Sequence, residues 1–284
     1  MTARTALVLS GGGSLGAVQV GFIRRAMELG LQFDILVGTS VGAMNASYVA
    51  FHAPHDHDCL EQIWHGLAGK RLFSRNPLTI AGSLWRSRLS IYDNRLLRRL
   101  LAEHLASDRF EDARAALYIT ATDICTGSRA IFHEGSISTA VLASTAIPGV
   151  FPPVRVGDRL FVDGGVTSGG DIDVAIEAGA TSVVYLDLRA PAPTGCPRNL
   201  LELVGRSFEL LAQDRAACAI EHRTYPAEVV HIQPGLRSAR GDFRDAPRLL
   251  ASSYRVACEV FDRCHVGGVL RAGHYHGPFS EQTP

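Results

Sequence analysis

The serine in "VGTSVGA" and the aspartate in "LFVDGGVTSGG" are the two residues of this chain whose surroundings could support bond-making chemistry. Ser40 stands between Gly38 and Gly42 as G-x-S-x-G, after the apolar run "DILV" and before the helical pattern "GAMNASYVAF". A serine hydroxyl becomes a nucleophile when a base takes its proton, and a strand-turn-helix elbow presents it at the end of a sheet. The turn is so sharp that flanking side chains larger than hydrogen would strike neighbouring backbone, which accounts for the two glycines. The helix that opens after Ser40 also turns its positive end toward charge near the serine.

In the ordinary triad the base is a histidine late in the chain, after an acidic residue. The candidates are His222, His231, His265, His274 and His276. His222 lies in a helical pattern, His231 within a strand run, and "HYH" in a polar tail. None has a distinctive setting, and each reads as a surface or packed histidine. The acidic signal is sharper. Asp163 ends an apolar strand and precedes Gly164 and Gly165, which would set a carboxylate at the same strand edge as Ser40, in a tight turn. The alternative is an ordinary β-turn aspartate.

A third feature is the loop "SGGGSLG", where Gly11, Gly13 and Gly16 follow an apolar strand as G-x-G-x-x-G. Such a loop can hold a dinucleotide pyrophosphate, a nucleotide phosphate, or a negative charge that exists only while a bond breaks. The dinucleotide fingerprint wants an acidic residue at the far end of the second strand. Asp34 comes at the start of that strand, and its end is occupied by Gly38 to Gly42. A Walker loop is excluded because Ala17 follows Gly16 where lysine is needed.

These features, with "ASTAIPGVFPPV" between the elbow and the DGG turn, resemble in content and order the patatin-like phospholipase family, over about Ala6 to Ala178. The resemblance implies a three-layer α/β/α sandwich with a central, mainly parallel sheet. It also implies an acyl hydrolase with a Ser-Asp dyad, no catalytic histidine and no cofactor. Ser40 would be the nucleophile and Asp163 the group that accepts its proton. "GGGSLG", from Gly11 to Gly16, would be the oxyanion loop, with Gly11, Gly12 and Gly13 letting backbone N–H donors turn inward. The substrate would be a lipid or other acyl ester. Two departures stand out: Ser14 and Leu15 where many relatives carry a basic residue, and Gly169 and Asp171 where many carry Asn and Pro. The first removes a positive charge near the loop; the second is expected to loosen the segment behind Asp163. Such departures leave room for a catalytically idle member that binds lipid, beside the dinucleotide-binding alternative.

The elements that must position these residues are also legible. "TALVLS", "GAVQVGFIRRAMELG", "FDILVG" and "SVGAMNASYVAF" alternate strand and helix, which predicts βαβ units and helices on both faces of a mostly parallel sheet. Gly30 is placed to cap the first helix. "LYITATDI" and "RAIFH" read as strands flanking the turn "CTGS"; "TSVVYLDL" and "AEVVHIQP" read as later strands, with helices near 200–222 and 246–264. Residues 52–92 read as a loop-like insertion in a single domain. Within it "HAPHDHDC" reads as solvated rather than as a metal site, and 78–91 as a packed surface loop or a lid facing lipid. Beyond Asp93, a candidate N-cap, Leu96, Leu97, Leu100, Leu101 and Leu105 recur at helical spacing. "STAIPGVFPP" should be rigid and irregular, joining a helix to the strand of Asp163 or walling the acyl pocket.

Composition narrows the classes. With 284 residues, 46% of them hydrophobic, the chain can bury a full core, and 28 basic residues balance 28 acidic ones, so nothing draws it to nucleic acid. Membrane contact would be local and peripheral. The six cysteines lack a C-x-x-C pair and read as mostly buried thiols of a reducing compartment. "ALVLS" is too short for a signal peptide and the run 35–51 is broken by polar residues, so a cytoplasmic location is expected.

Overall fold

The chain alternates strand and helix from its first described residues. In order come β1 (Thr5–Leu9), α1 (Gly16–Glu28), β2 (Ile35–Thr39), α2 (Val41–Phe51), α3 (His57–Gly69) and α4 (Arg95–His104). Then follow β3 (Ala116–Asp123), β4 (Ser128–Phe132), α5 (Ile137–Ser144), β5 (Val154–Val156), β6 (Arg159–Asp163), α6 (Ile172–Glu177), β7 (Ser182–Leu186) and β8 (Glu228–Gln233). The last elements are α7 (Ala246–Cys264) and the short strands β9 (His265–Val266), β10 (Val269–Leu270) and β11 (Gly273–His276). This computed structural model describes residues 3–52, 57–69, 89–189, 225–238 and 243–277, with 196, 197, 203, 206, 207, 210 and 211.

Nine strands form one sheet in the order β11-β8-β7-β1-β2-β3-β6-β5, with β4 also paired to β3. From β11 to β3 every pairing is parallel; β4, β6 and β5 add antiparallel pairings. The inner strands are apolar on both faces because both faces are covered. Leu7, Leu9, Leu36, Val184 and Leu186 point into the larger core with Val18 and Phe22 of α1, Trp64 of α3 and Phe261 of α7. Ala6, Val8, Ile35, Val37, Val183 and Tyr185 point the other way, onto Ile172, Val174 and Ala175 of α6. Helices thus lie on both sides of the sheet.

The chain passes from β1 outward through β2 to β3, then returns to place β7 on the other side of β1. The connections after β1 and β7 therefore diverge, and a crevice opens at the carboxyl ends of these two strands, where ligands of open α/β sheets bind. "SGGGSLG" occupies that position. Among the described residues no helix is long and apolar enough to cross a membrane, and no group of three His, Cys, Asp or Glu side chains could hold a metal.

Four expectations need correction. Residues 57–69 of the supposed loop are a helix: Leu60, Ile63, Trp64 and Leu67 recur at helical spacing and are buried in the larger core. Burying each such side chain is worth about 2 kcal/mol, which outweighs the polar start of the segment. His55 and Asp56 lie outside the described residues, as does most of 78–91, the candidate lid, and most of 200–222. Cysteines are not mostly inside: Cys59, Cys125 and Cys196 are exposed, Cys258 is half-buried, and only Cys264 among the described ones is buried. Cys59 falls on the outer face of α3 and Cys125 in the β3–β4 turn, so each takes the environment of its position. "HYH" is not a tail but β11, an edge strand pairing with β8 through His274 and His231. Finally, Asn94, not Asp93, holds the N-cap position of α4, although the Asp93 carboxylate accepts the Arg95 N–H at 3.2 Å. Gly30, with φ +74°, closes α1 as its type allows.

Candidate active site

Ser40 sits between the last residue of β2 and the first of α2, with φ 55° and ψ −124°. A non-glycine residue in this region is strained, and only a rigid surround keeps it there. That surround is backbone. A Cβ on Gly42 would lie 2.2 Å from the Leu9 carbonyl oxygen and 2.6 Å from that of Ser10. One on Gly38 would lie 2.5 Å from the Ala43 Cα. The elbow is thus pressed against the end of β1 on one side and its own helix on the other. The Ser40 carbonyl starts α2 by accepting the Ala43 N–H at 2.9 Å.

Asp163 ends β6, whose path explains the meeting. Thr39 pairs with Thr120 of β3, and Asp163 pairs with the next residue, Ala121. The opposite side of β3 is held by β4 over both positions, through Ile131 and Ala130. β2 and β6 therefore share one side of β3 and run toward each other, so their carboxyl ends meet. Ser40 Oγ donates to Asp163 Oδ2 at 2.6 Å, and the Gly165 N–H donates to Oδ1 at 2.8 Å. The backbone of Asp163 is pinned as well: its N–H donates to the Ala146 carbonyl at 2.9 Å, and its carbonyl accepts from Thr122 Oγ1 at 3.0 Å. Gly164 packs so tightly under Thr120 that a Cβ would come within 2.3 Å of its carbonyl oxygen.

Asp163 is fully buried and Ser40 is 8% exposed. Burial pushes the Asp163 carboxyl up to about 7; the hydrogen bonds from Ser40 and Gly165 pull it back only in part. A carboxylate raised this far is a far stronger base than one in water and still ionises near neutral pH.

The glycine loop lies against the elbow. A Cβ on Gly11 would stand 3.2 Å from the Ser40 Cβ and 3.9 Å from its Oγ. Gly13 has φ +55°, which glycine adopts without strain, and opens the short 3-10 turn Gly13–Leu15 that leads into α1. Among the described residues, the N–H groups of Gly11, Gly12 and Gly13 have no hydrogen-bond partner. Three adjacent free amides beside a serine hydroxyl can stabilise an anion formed there. Gly16 lets α1 start against Val41 and Trp64: a Cβ would lie 2.3 Å from Val41 Cγ2.

Two supporting residues escaped sequence reasoning. Ser144, at the end of α5, is fully buried; its Oγ accepts the Ser40 N–H at 2.8 Å and donates to the Thr120 carbonyl at 2.6 Å. "STAIPGVFPP" thus both joins helix to strand and holds the elbow. Thr39, next to Ser40, donates through Oγ1 to Asp171 Oδ2 at 2.5 Å. Asp171 also accepts from Ser168 Oγ at 2.8 Å and from Arg129 at 3.2 Å, and Arg129 makes a two-pronged pair with Asp173. The only sequence signal for either was an isolated polar residue in an apolar or glycine-rich setting.

The remaining candidates lie elsewhere. Buried His231 Nε2 faces buried Asp187 Oδ2 at 2.9 Å and its Nδ1 faces the exposed His274 Nδ1 at 2.8 Å, while half-buried Arg189 and Gln233 also donate to Asp187. Burial pushes the Asp187 carboxyl up, but His231 and Arg189 together hold it well below the usual range. His222 lies outside the described residues. Asp34 is exposed and accepts the Thr5 N–H at 2.9 Å, at the opposite end of β2 from the glycine loop, so it cannot hold a ribose beside it.

A model of the patatin-like phospholipase family matches residues 7–176, from β1 through the Asp163 turn to α6. The chain belongs to this family. An uncharacterised NTE family protein of Mycobacterium tuberculosis is 30% identical over 80% of this chain and 41% of its own length. The patatin-like phospholipase domain-containing protein 7 of mouse is 29% identical over 64% of this chain and 13% of its own. A lysophospholipase of Aspergillus terreus is 30% identical over 61% and 12%. This chain therefore spans about two fifths of the mycobacterial protein and a smaller share of the other two. VipD from Legionella pneumophila aligns with a TM-score of 0.46 and 15% identity, over 92% of this chain and 67% of that one.

Within the patatin-like frame, the two departures take definite shape. Leu15 is buried in the larger core, so an apolar residue there adds packing where a cation would need solvent or a partner. The segment behind Asp163 is not loosened, as the sequence led one to expect. Asp171, 2% exposed and at φ 54°, ties it to Thr39, Ser168 and Arg129. Three donors on one buried carboxylate hold the turn without a proline.

Proposed function

We propose that this chain is a serine hydrolase of lipid acyl esters in which Ser40 is the nucleophile and Asp163 the base. The observation that carries the reading is the 2.6 Å hydrogen bond from Ser40 Oγ to Asp163 Oδ2, in a chain of the patatin-like family. Ser40 Oγ attacks the ester carbonyl as Asp163 Oδ2 takes its proton. The carbonyl oxygen gains a negative charge and is met by the amides of Gly11, Gly12 and Gly13, each such donor being worth on the order of 3 kcal/mol of barrier. Collapse of the tetrahedral intermediate expels the alcohol, which leaves with the proton from Asp163. Water then enters, loses a proton to Asp163 and attacks the acyl group, and the fatty acid departs as Ser40 regains its hydrogen.

Its raised proton affinity suits Asp163 to both directions of transfer, since a general base works best when its pKa lies near the working pH. The names of the fungal and mouse relatives, a lysophospholipase and a phospholipase domain protein, support lipid esters as substrates. A lipid aggregate would be met by local, peripheral contact.

Labelling with a fluorophosphonate probe, followed by hydrolysis of lysophosphatidylcholine, phosphatidylcholine and a p-nitrophenyl ester, tests the proposal. The expected result is covalent label on Ser40 and hydrolysis that Ser40→Ala abolishes. An unlabelled Ser40, or turnover that survives Ser40→Ala, would sink it. Lipid binding without hydrolysis would identify an idle member of the family, and a thermal shift with NAD or NADP would favour the dinucleotide reading.

A further inference from the structure

The three free amides of the glycine loop have no partner of their own, so their directions depend on what grips the neighbouring carbonyls. Gln19 Nε2 donates to the Ser10 carbonyl at 2.8 Å, Ser10 Oγ to the Gly11 carbonyl at 3.2 Å, and the Leu15 N–H to the Gly12 carbonyl at 3.1 Å. Every described peptide bond is trans, so each of these carbonyls points opposite to the N–H of the next residue. Holding the Ser10, Gly11 and Gly12 carbonyls therefore aims the Gly11, Gly12 and Gly13 amides. Two of the three grips come from within the loop and its own turn. The third, on the peptide beside Ser40, comes from Gln19 in the second turn of α1.

Gln19 is itself held. Its Oε1 accepts from Asn45 Nδ2 at 2.8 Å; the same Nδ2 reaches the Gly16 carbonyl at 3.0 Å, and Asn45 Oδ1 accepts from Trp64 Nε1 at 3.0 Å. Gln19, Asn45 and Trp64 are all fully buried, one on each of α1, α2 and α3. A terminal amide has two distinguishable ends, and this chain of contacts specifies both. Trp64 can only donate, so Asn45 must present its oxygen there and its NH₂ to Gln19, which in turn presents its own NH₂ to Ser10. In a core that excludes water no other orientation satisfies all the groups, so the arrangement is stiff.

We infer that Gln19 is a positioning residue that aims the Gly11 amide at the oxyanion, with its orientation set by Asn45 and Trp64. The inference rests on reading the loop after β1 as the oxyanion loop of an acyl hydrolase. Gln19 touches neither Ser40 nor substrate; it acts through the Ser10–Gly11 peptide. Replacing it by a side chain of similar length with no donor frees that peptide to rotate, which weakens transition-state binding without changing how the ground-state ester is held.

Gln19→Met is the test, with Ser40→Ala alongside. The expected result is a kcat reduced about tenfold or more, a KM within about twofold of the parent, and a parallel fall in the rate at which fluorophosphonate modifies Ser40. A folded Gln19→Met protein with parental kcat and parental labelling rate would overturn the inference, and a loss confined to thermal stability would do the same. Should Gln19→Met fail to fold, Trp64→Phe is read in its place, because it removes the far N–H of the chain while keeping an aromatic ring, smaller than indole, in the core. A fall in kcat of about threefold at constant KM supports the inference, and an unchanged kcat overturns it. Hydrolysis that persists in Ser40→Ala would instead reject the acyl-enzyme reading on which the inference stands, so the two failures are distinct.

Discussion

Ser40 and Asp163 meet because the strands that carry them run head to head along one side of β3, Thr39 opposite Thr120 and Asp163 opposite Ala121. A parallel and an antiparallel strand can share a side of a third strand only if one stops where the other arrives. At that junction both carboxyl ends face the same crevice, and 123 residues of sequence separation shrink to a 2.6 Å hydrogen bond. The cost is a carboxylate without solvent, and the consequences of that cost can be measured.

Asp163→Asn should abolish ester hydrolysis, by about a thousandfold or more, while stabilising the protein at alkaline pH. The sign follows from linkage. The folded state holds a proton on Asp163 up to about pH 7, against an ordinary value of 3.8, so the native state binds more protons than the unfolded state between those limits. Stability therefore falls as pH rises through that window, by about 4 kcal/mol in total. Asparagine removes this loss. Thermal melts should show the variant several degrees above the parent at pH 8 and close to it at pH 4, and a parental melt at pH 8 would contradict the buried carboxylate. The parent's own kcat/KM should rise with pH through about 7, as the carboxylate form needed to accept the serine proton becomes populated.

Ser144→Ala removes the acceptor of the Ser40 N–H and the donor to the Thr120 carbonyl. Both groups are buried, so the variant should lose about 1–3 kcal/mol of stability. The strained elbow also loses its tether, and kcat should fall about tenfold with KM little changed. Urea unfolding and steady-state kinetics on the same preparation check the two effects separately.

Asp171→Ala should destabilise by about 2–4 kcal/mol, because Thr39 and Ser168 lose a buried acceptor and alanine is strained at φ 54°. Asp171→Asn keeps an oxygen for Thr39 and tolerates the left-handed backbone, so it should recover most of that loss. If the two variants unfold at the same urea concentration, the network around Thr39 contributes nothing.

Gly42→Ala places a methyl group 2.2 Å from the Leu9 carbonyl oxygen, a backbone atom in the middle of the core. Relief requires moving either β1 or α2, and either motion drags the Ser40 elbow. The expected result is a loss of 3 kcal/mol or more, of the order of an overpacked core, with fluorophosphonate labelling of Ser40 lost in whatever folds. Gly30→Ala is the control: space around Gly30 is open, and only its positive φ penalises a side chain, by about 1 kcal/mol.

The sequence by itself determined what is local in this protein. Strand runs in "TALVLS" and "FDILVG", the helices after them and the glycines around Ser40 announce themselves through periodicity and through the steric demands of single turns, so the patatin-like α/β architecture was legible. Even α3 was written there, in Leu60, Ile63, Trp64 and Leu67, beneath a histidine-rich start that suggested a loop. What only the tertiary structure decided concerns groups that meet across the chain. The head-to-head junction brings Ser40 to Asp163. Asp171 fastens Thr39 instead of loosening the turn, Ser144 holds the Ser40 amide, and Gln19, Asn45 and Trp64 form a relay to the Ser10 carbonyl. The physical reason is that a hydrogen bond between buried side chains leaves no period and no spacing in the sequence. Each partner looks like an isolated polar residue until the sheet order places it against the other.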